Sequence, residues 1–154
     1  MRQKRLLHTE RTLHAAGQSN AVVMAAWDLI DRARGYTYAV VTSGPDYDAA
    51  LHLRWVVYAD TGYINPADYP DQRLSDPYEA HSTTIIAKHR DRVIGTGRLI
   101  AAWQRNQIQD NHNVILPTNV DLRSTAETSR IAVDRAYRSG DRTAFLGLIR
   151  YGYL

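Results

Sequence analysis

At 154 residues, 44% hydrophobic and 23% charged, the chain has the size and composition of one globular unit with a single core. No apolar run approaches the roughly 20 residues of a membrane helix, and the absence of cysteine excludes disulfides, thiolate metal sites and cysteine nucleophiles. The net charge of +3 is uneven. Arg2, Lys4, Arg5 and Arg11 against Glu10 make the start basic, and Arg130, Arg135, Arg138, Arg142 and Arg150 against Asp134 and Asp141 make the end basic, over a mildly acidic middle.

Residues 1–18 show no clear period and read as a basic leader. Leu6-Leu7 is too short for the apolar core of a secretion signal, so the expected setting is cytoplasmic. The single domain is expected over 19–154. Ser19 is a plausible N-cap for a helix over Asn20 to Arg34, where Val22, Val23, Ala26, Trp27, Ile30 and Ala33 recur at helical spacing and Gly35 supplies the stop. Tyr36 to Thr42 reads as a strand. Ser43 to Asp46 makes a turn and helix start, and Tyr47 to Asp60 an amphipathic helix ending near Gly62, with Leu51, Leu53 and Trp55 as core. Gly62 to Pro77, with three prolines, is long enough for a functional loop.

Ser82 to Lys88 and Arg92 to Leu99 are strands joined by His89-Arg90-Asp91, a connection short enough for an antiparallel hairpin. Trp103 to Pro117 is irregular in pattern apart from one brief strand at Val114-Ile115-Leu116, and Thr143 to Tyr153 is apolar at helical spacing. This order predicts an α+β fold, a mostly antiparallel sheet flanked by helices. A closing helix with no strand after it reads as a truncated copy or a fragment.

Between the last two regular elements lies Glu127-Thr128-Ser129-Arg130-Ile131-Ala132-Val133, an acid, a hydroxyl and a guanidinium leading into an apolar strand, followed by the basic turn Tyr137-Arg138-Ser139-Gly140. Such a strand, opening through a glycine turn into a helix, builds a site at a sheet edge. In a regular strand residues 127 and 130 point to opposite faces. Other constellations are weaker: six scattered histidines lack ligand spacing, so no metal is expected, and no G-x-S-x-G elbow or P-loop appears.

Four local patterns resemble the acyl-carrier-protein-dependent branch of the Gcn5-related N-acyltransferase superfamily, the N-acyl amino acid synthases and, more distantly, the acyl-homoserine lactone synthases. They are Leu53-Arg54-Trp55-Val56-Val57-Tyr58 with Gly62-Tyr63-Ile64, Asp76-Pro77-Tyr78-Glu79, Gly95-Thr96-Gly97-Arg98-Leu99-Ile100, and Glu127 to Val133 as "E-x-S-R-x-A-V". In the second, Glu79 stands where the pattern has Asp. The resemblance implies a Gcn5-related acyltransferase-like fold lacking its C-terminal strands. It also implies transfer of a fatty acyl group from acyl carrier protein to the amine of an amino acid or similar small molecule, with an acyl-phosphopantetheine thioester as donor and no permanently bound cofactor.

By the same resemblance the catalytic set is Glu127, Arg130 and Arg98. Ser129, Ile131, Ala132, Val133 and Arg138 serve the donor, and Arg54, Tyr58, Asp76 and Glu79 the acceptor and lid. Glu127 would act as base, directly or through a water, the alternative being an ion pair with Arg130 or Arg98. The family's distorted strand implies a β-bulge near Ser129 to Ala132, which would put residues 127 and 130 on a common face and leave the amides of Ile131 and Val133 for ligand. Asp141 stands where the superfamily's pyrophosphate loop has its first Gly, which disfavours coenzyme A and suits a carrier-protein donor. Arg135, Arg138, Arg142 and Arg150 could form a stripe for that acidic partner. Two rivals are an acyl-homoserine lactone synthase, whose lactone closure needs a nucleoside site that nothing here marks, and a basic nucleic-acid-binding module, which lacks a recognisable motif.

Overall fold

The computed structural model describes residues 24–103, 107, 110, 114–115, 117–139 and 143–152. The chain divides after Gly35 into two units. In the first, residues 24–33 are helical, and Gly35 at φ 71° ends the segment as the sequence predicts. The Ser19 cap, the leader and its boundary at residue 18 lie outside the described residues.

The second unit carries β1 (Tyr36–Val41), α1 (Gly44–Asp60), β2 (Ser82–His89), β3 (Arg92–Ala101), β4 (Ala126–Val133) and α2 (Thr143–Gly152). The strands form one antiparallel sheet in the order β1-β2-β3-β4, so β1 and β4 are its edges. The β2–β3 hairpin turns at His89 to Asp91, with Arg90 at φ 56°.

Side-chain alternation sorts the sheet into two packed faces. On one, Ala50, Leu53 and Val57 of α1 bury against Ile86, Val93 and Ala132. On the other, Ala144 and Leu148 of α2 bury against Ile85, Ala87, Ile94 and Val133. Each buried leucine or valine contributes roughly 1.5–3 kcal/mol. α2 approaches β1 closely because residue 147 is glycine: a Cβ there would stand 1.9 Å from the Tyr38 hydroxyl.

Several local expectations are corrected. α1 begins at Gly44, three residues before Tyr47, because Gly44 at φ 80° admits the chain and Pro45 fits the first turn. Val114 and Ile115 are not in a strand, and Ile115 is 93% exposed; Leu116 lies outside the described residues. Val40, in the strand read over Tyr36 to Thr42, is 52% exposed near the end of β1. Trp55 is half-buried and stacks on His52. Arg98 lies well inside β3, which runs on to Ala101.

Candidate active site

The site starts from a break in the β3–β4 ladder. Thr96 pairs with Ala132 and Arg98 with Ser129, so Arg130 and Ile131 of β4 together oppose Gly97 of β3. That two-against-one count is a β-bulge, as expected near Ser129 to Ala132, and Arg130 absorbs it at φ 52°. Past the bulge, the Asp134 amide donates to the Ile94 carbonyl. Antiparallel ladders alternate inward and outward amides, so the Val133 N–H points to the open edge of the sheet. Its carbonyl points the same way and accepts from Arg138 Nε at 2.6 Å.

The bulge also turns consecutive side chains toward one cluster. Ser129 Oγ accepts from Arg98 Nε at 3.1 Å, while Arg130 donates through Nη2 to Asp76 Oδ2 at 2.7 Å. Arg98 Nη1 reaches Asp76 Oδ1 and Glu79 Oε1, each at 2.6 Å, and its Nη2 reaches Gln107 Oε1 at 2.9 Å. Arg54, fully buried on α1, donates to Glu79 Oε1 at 2.9 Å and to Thr84 Oγ1 at 3.0 Å. Tyr47 donates to the other Glu79 oxygen at 3.2 Å. Both carboxylates belong to one short element, the 3-10 turn Pro77–His81 that Asp76 caps by accepting the Tyr78 amide.

Three guanidiniums therefore meet two carboxylates. Burial opposes ionisation of Asp76, but hydrogen bonds from Arg98 and Arg130 outweigh it and hold the carboxyl below its ordinary value. Burial likewise works against the Arg130 cation, and its bonds to Asp76 overcome it, raising the guanidinium's pKa. Arg54 is pushed the other way, lowered by burial that Glu79 only partly offsets. Tyr47 is raised by burial and by the charge of Glu79.

The expected catalytic and acceptor sets are thus joined: Arg98 and Arg130 with Arg54, Asp76 and Glu79, and Tyr58 through its ring, 5.5 Å from the Arg130 guanidinium. Glu127 is buried opposite Ile100, two residues before Ser129 and so on the strand face that carries Arg98. Of the donor set, Ile131, Ala132, Val133 and Arg138 line one groove of about 380 Å³, closed by Tyr137 and Phe145. Ser129 belongs instead to the arginine cluster. Asp141 and Arg142 lie outside the described residues. Arg150 leaves the expected basic stripe, since its guanidinium sits over the Tyr38 ring at 5.8 Å.

Thr84, Tyr47, Gln107 and Phe145 were not expected at the site. Tyr47 stands seven residues before Arg54 on one face of α1, a spacing legible in the sequence. Thr84 becomes visible only once the hairpin register places it opposite Arg98. Among the described residues no group of three His, Cys, Asp or Glu side chains could hold a metal, and no helix is long and apolar enough to cross a membrane.

Comparison with solved structures finds the crystal structure of the acyl-homoserine lactone synthase LasI, with a TM-score of 0.51 and 16% identity over 77% of this chain and 65% of that one. The likeness is one of fold, α+β with an antiparallel sheet flanked by helices, and this chain spans about two-thirds of that protein's length. No curated protein matches by sequence. The model of the family described as N-acyl amino acid synthase FeeM matches residues 49–154, which take in α1, the arginine cluster, the bulged strand and its groove, and the chain belongs to that family.

Proposed function

We propose that this chain is an N-acyltransferase that moves a fatty acyl group from the phosphopantetheine thioester of acyl carrier protein to the amine of an amino acid or similar small molecule. The observation that carries this reading is the Arg130 bulge in an edge strand, which turns the Val133 amide outward beside an apolar groove. An amide so placed binds the extended donor arm or the oxyanion formed on the thioester carbonyl. The amine nitrogen attacks that carbonyl, the C–N bond forms as the C–S bond breaks, and the thiolate leaves. Glu127, buried on the cluster's face, takes the amine proton directly or through a water.

The arginine cluster serves the acceptor. Arg130, 20% exposed where Arg54 and Arg98 are fully buried, is the guanidinium that an amino acid carboxylate can reach. Asp76 and Glu79 fix the 3-10 turn against the sheet, and Tyr58 packs under Arg130. Arg138, at the groove, faces an incoming phosphate or an acidic carrier. The reaction is placed in the cytoplasm with the carrier. A nucleic-acid role is disfavoured because Arg54 and Arg98 are fully buried, which removes them from any basic surface.

The test is incubation of the chain with acyl carrier protein loaded with fatty acyl groups of several lengths and a pool of amino acids, read by mass spectrometry. N-acyl amino acids are expected, and Glu127→Gln should lose them while keeping the fold. Product formed equally well by the variant removes the base assignment. Homoserine lactone products seen only with added S-adenosylmethionine would favour the lactone-synthase chemistry.

A further inference from the structure

His89 and Tyr137 meet on the α2 face of the sheet. Side chains alternate along β2, so Lys88 reaches Asp46 of α1 on one face and His89, the last residue of the strand, turns to the other. There its Nδ1 shares a hydrogen bond of 2.9 Å with the Tyr137 hydroxyl. The Tyr36 ring of β1 completes the group. Its centroid lies 5.6 Å from the His89 ring and 6.3 Å from the Tyr137 ring, His89 and Tyr137 are 5.7 Å apart, and all three pairs meet edge to face.

Tyr137 also faces the donor groove. It ends the 3-10 turn Arg135–Tyr137 and, with Arg138, lines the groove along the edge of β4. The turn's own hydrogen bonds are short-range: the Tyr137 amide donates to the Asp134 carbonyl at 2.8 Å, the Ala136 amide to Asp134 Oδ1 at 2.9 Å and Arg138 Nε to the Val133 carbonyl at 2.6 Å. Asp134 is paired with Arg92, but that side chain is 67% exposed and such a pair holds weakly. Among the described residues, the hydrogen bond that fastens the turn beyond Asp134 to another strand is the one shared with His89. His89 itself does not border the groove.

Resting on the acyl-transfer reading above, we propose that His89 is a positioning residue for the donor, one that holds the Tyr137 ring, and Arg138 beside it, in place before the acyl-pantetheine arm arrives. A wall fixed in advance spares the donor the cost of ordering it. The effect therefore falls on donor binding and leaves the chemical step to Glu127 and the Val133 amide. Ring packing alone would be met by phenylalanine at either position. What the imidazole and the hydroxyl add is a directional tie that fixes where the turn stops against the end of the sheet.

The experiment titrates the full chain with octanoyl pantetheine by calorimetry, which reads binding without turnover, and measures kcat and the KM for octanoyl acyl carrier protein. His89→Phe and Tyr137→Phe each keep a ring and remove the tie, and each should weaken octanoyl pantetheine by about two- to tenfold, the worth of one hydrogen bond. In His89→Phe the KM for the loaded carrier should rise by a similar factor with kcat held. The double variant should bind no worse than either single one, since neither ring then leaves a polar partner unmatched. Circular dichroism checks that each variant folds. Wild-type affinity in His89→Phe, additive losses in the double variant, or a loss confined to kcat overturns the proposal, and the acyl-transfer reading survives wherever product still forms. Coupled losses in a protein that makes no N-acyl product uphold the positioning role and defeat the catalytic reading alone. A wild type that binds no octanoyl pantetheine defeats both.

Discussion

Arg98 and Arg130 hold Asp76 from two sides, Nη1 of the first on Oδ1 at 2.6 Å and Nη2 of the second on Oδ2 at 2.7 Å. One carboxylate therefore ties β3, the bulge of β4 and the 3-10 turn together. Asp76→Asn keeps an acceptor for the Tyr78 amide but removes the charge that both guanidiniums face. With its side chain only 15% exposed, the loss should approach the low end of the about 3–5 kcal/mol seen when one partner of a buried pair is removed. Urea unfolding should show a lower midpoint at unchanged slope, and a midpoint within error of wild type would mean the cluster is not structural.

The depressed pKa of Asp76 gives stability a pH signature. Its folded value lies below the unfolded value of about 3.9, so the unfolded state binds more protons in acid. The contribution is complete above about pH 4 to 5 and disappears as pH falls through the folded value. Unfolding free energy measured from pH 6 down to pH 2 should fall more steeply for wild type than for Asp76→Asn. Parallel curves would contradict the assignment of the shift to this group.

Gly147→Ala separates helix propensity from packing. In an exposed helix the change gains about 1 kcal/mol. Here the new Cβ would meet the Tyr38 ring and hydroxyl at 1.9 to 2.7 Å, and overpacking of this kind costs about 1–3 kcal/mol or more. Packing should win, lowering the thermal midpoint, and a stabilised variant would show that α2 moves off β1 without penalty.

Sequence patterning reached the sheet and its helices because apolar alternation in Ser82 to His89 and Arg92 to Ala101 is long and bounded by a short turn. The bulge was legible only through the resemblance: regular spacing puts Glu127 and Arg130 on opposite faces, and it was the family's distorted strand that implied a slip between them. What the sequence concealed was partnership. Arg98 meets residues 19 and 22 positions earlier, and Arg130 meets one 54 positions earlier, distances at which no local spacing carries a signal. The brief strand expected at Val114 to Leu116 failed because a three-residue apolar run is as compatible with an exposed loop as with a sheet.

The bulge makes a prediction that needs no substrate. Ala132 and Asp134 direct their amides toward β3, whereas Val133 directs its amide to the open edge. Hydrogen exchange should therefore alternate, slow at 132 and 134 and fast at 133, and an acyl pantetheine should slow Val133 alone. Which amides face outward depends on Arg130 keeping a left-handed φ, a conformation that costs a non-glycine residue about 1–3 kcal/mol. Arg130→Gly should preserve the pattern although it loses the ion pair to Asp76, since glycine takes this φ without strain. Arg130→Val should reverse its phase, because a β-branched side chain resists positive φ and favours straight pairing, and the loss of the extra residue slips the register by one. If Val133 exchanges as slowly as its neighbours in the wild type, or if the glycine and valine variants exchange alike, the edge amide is not available and the donor site must be sought elsewhere.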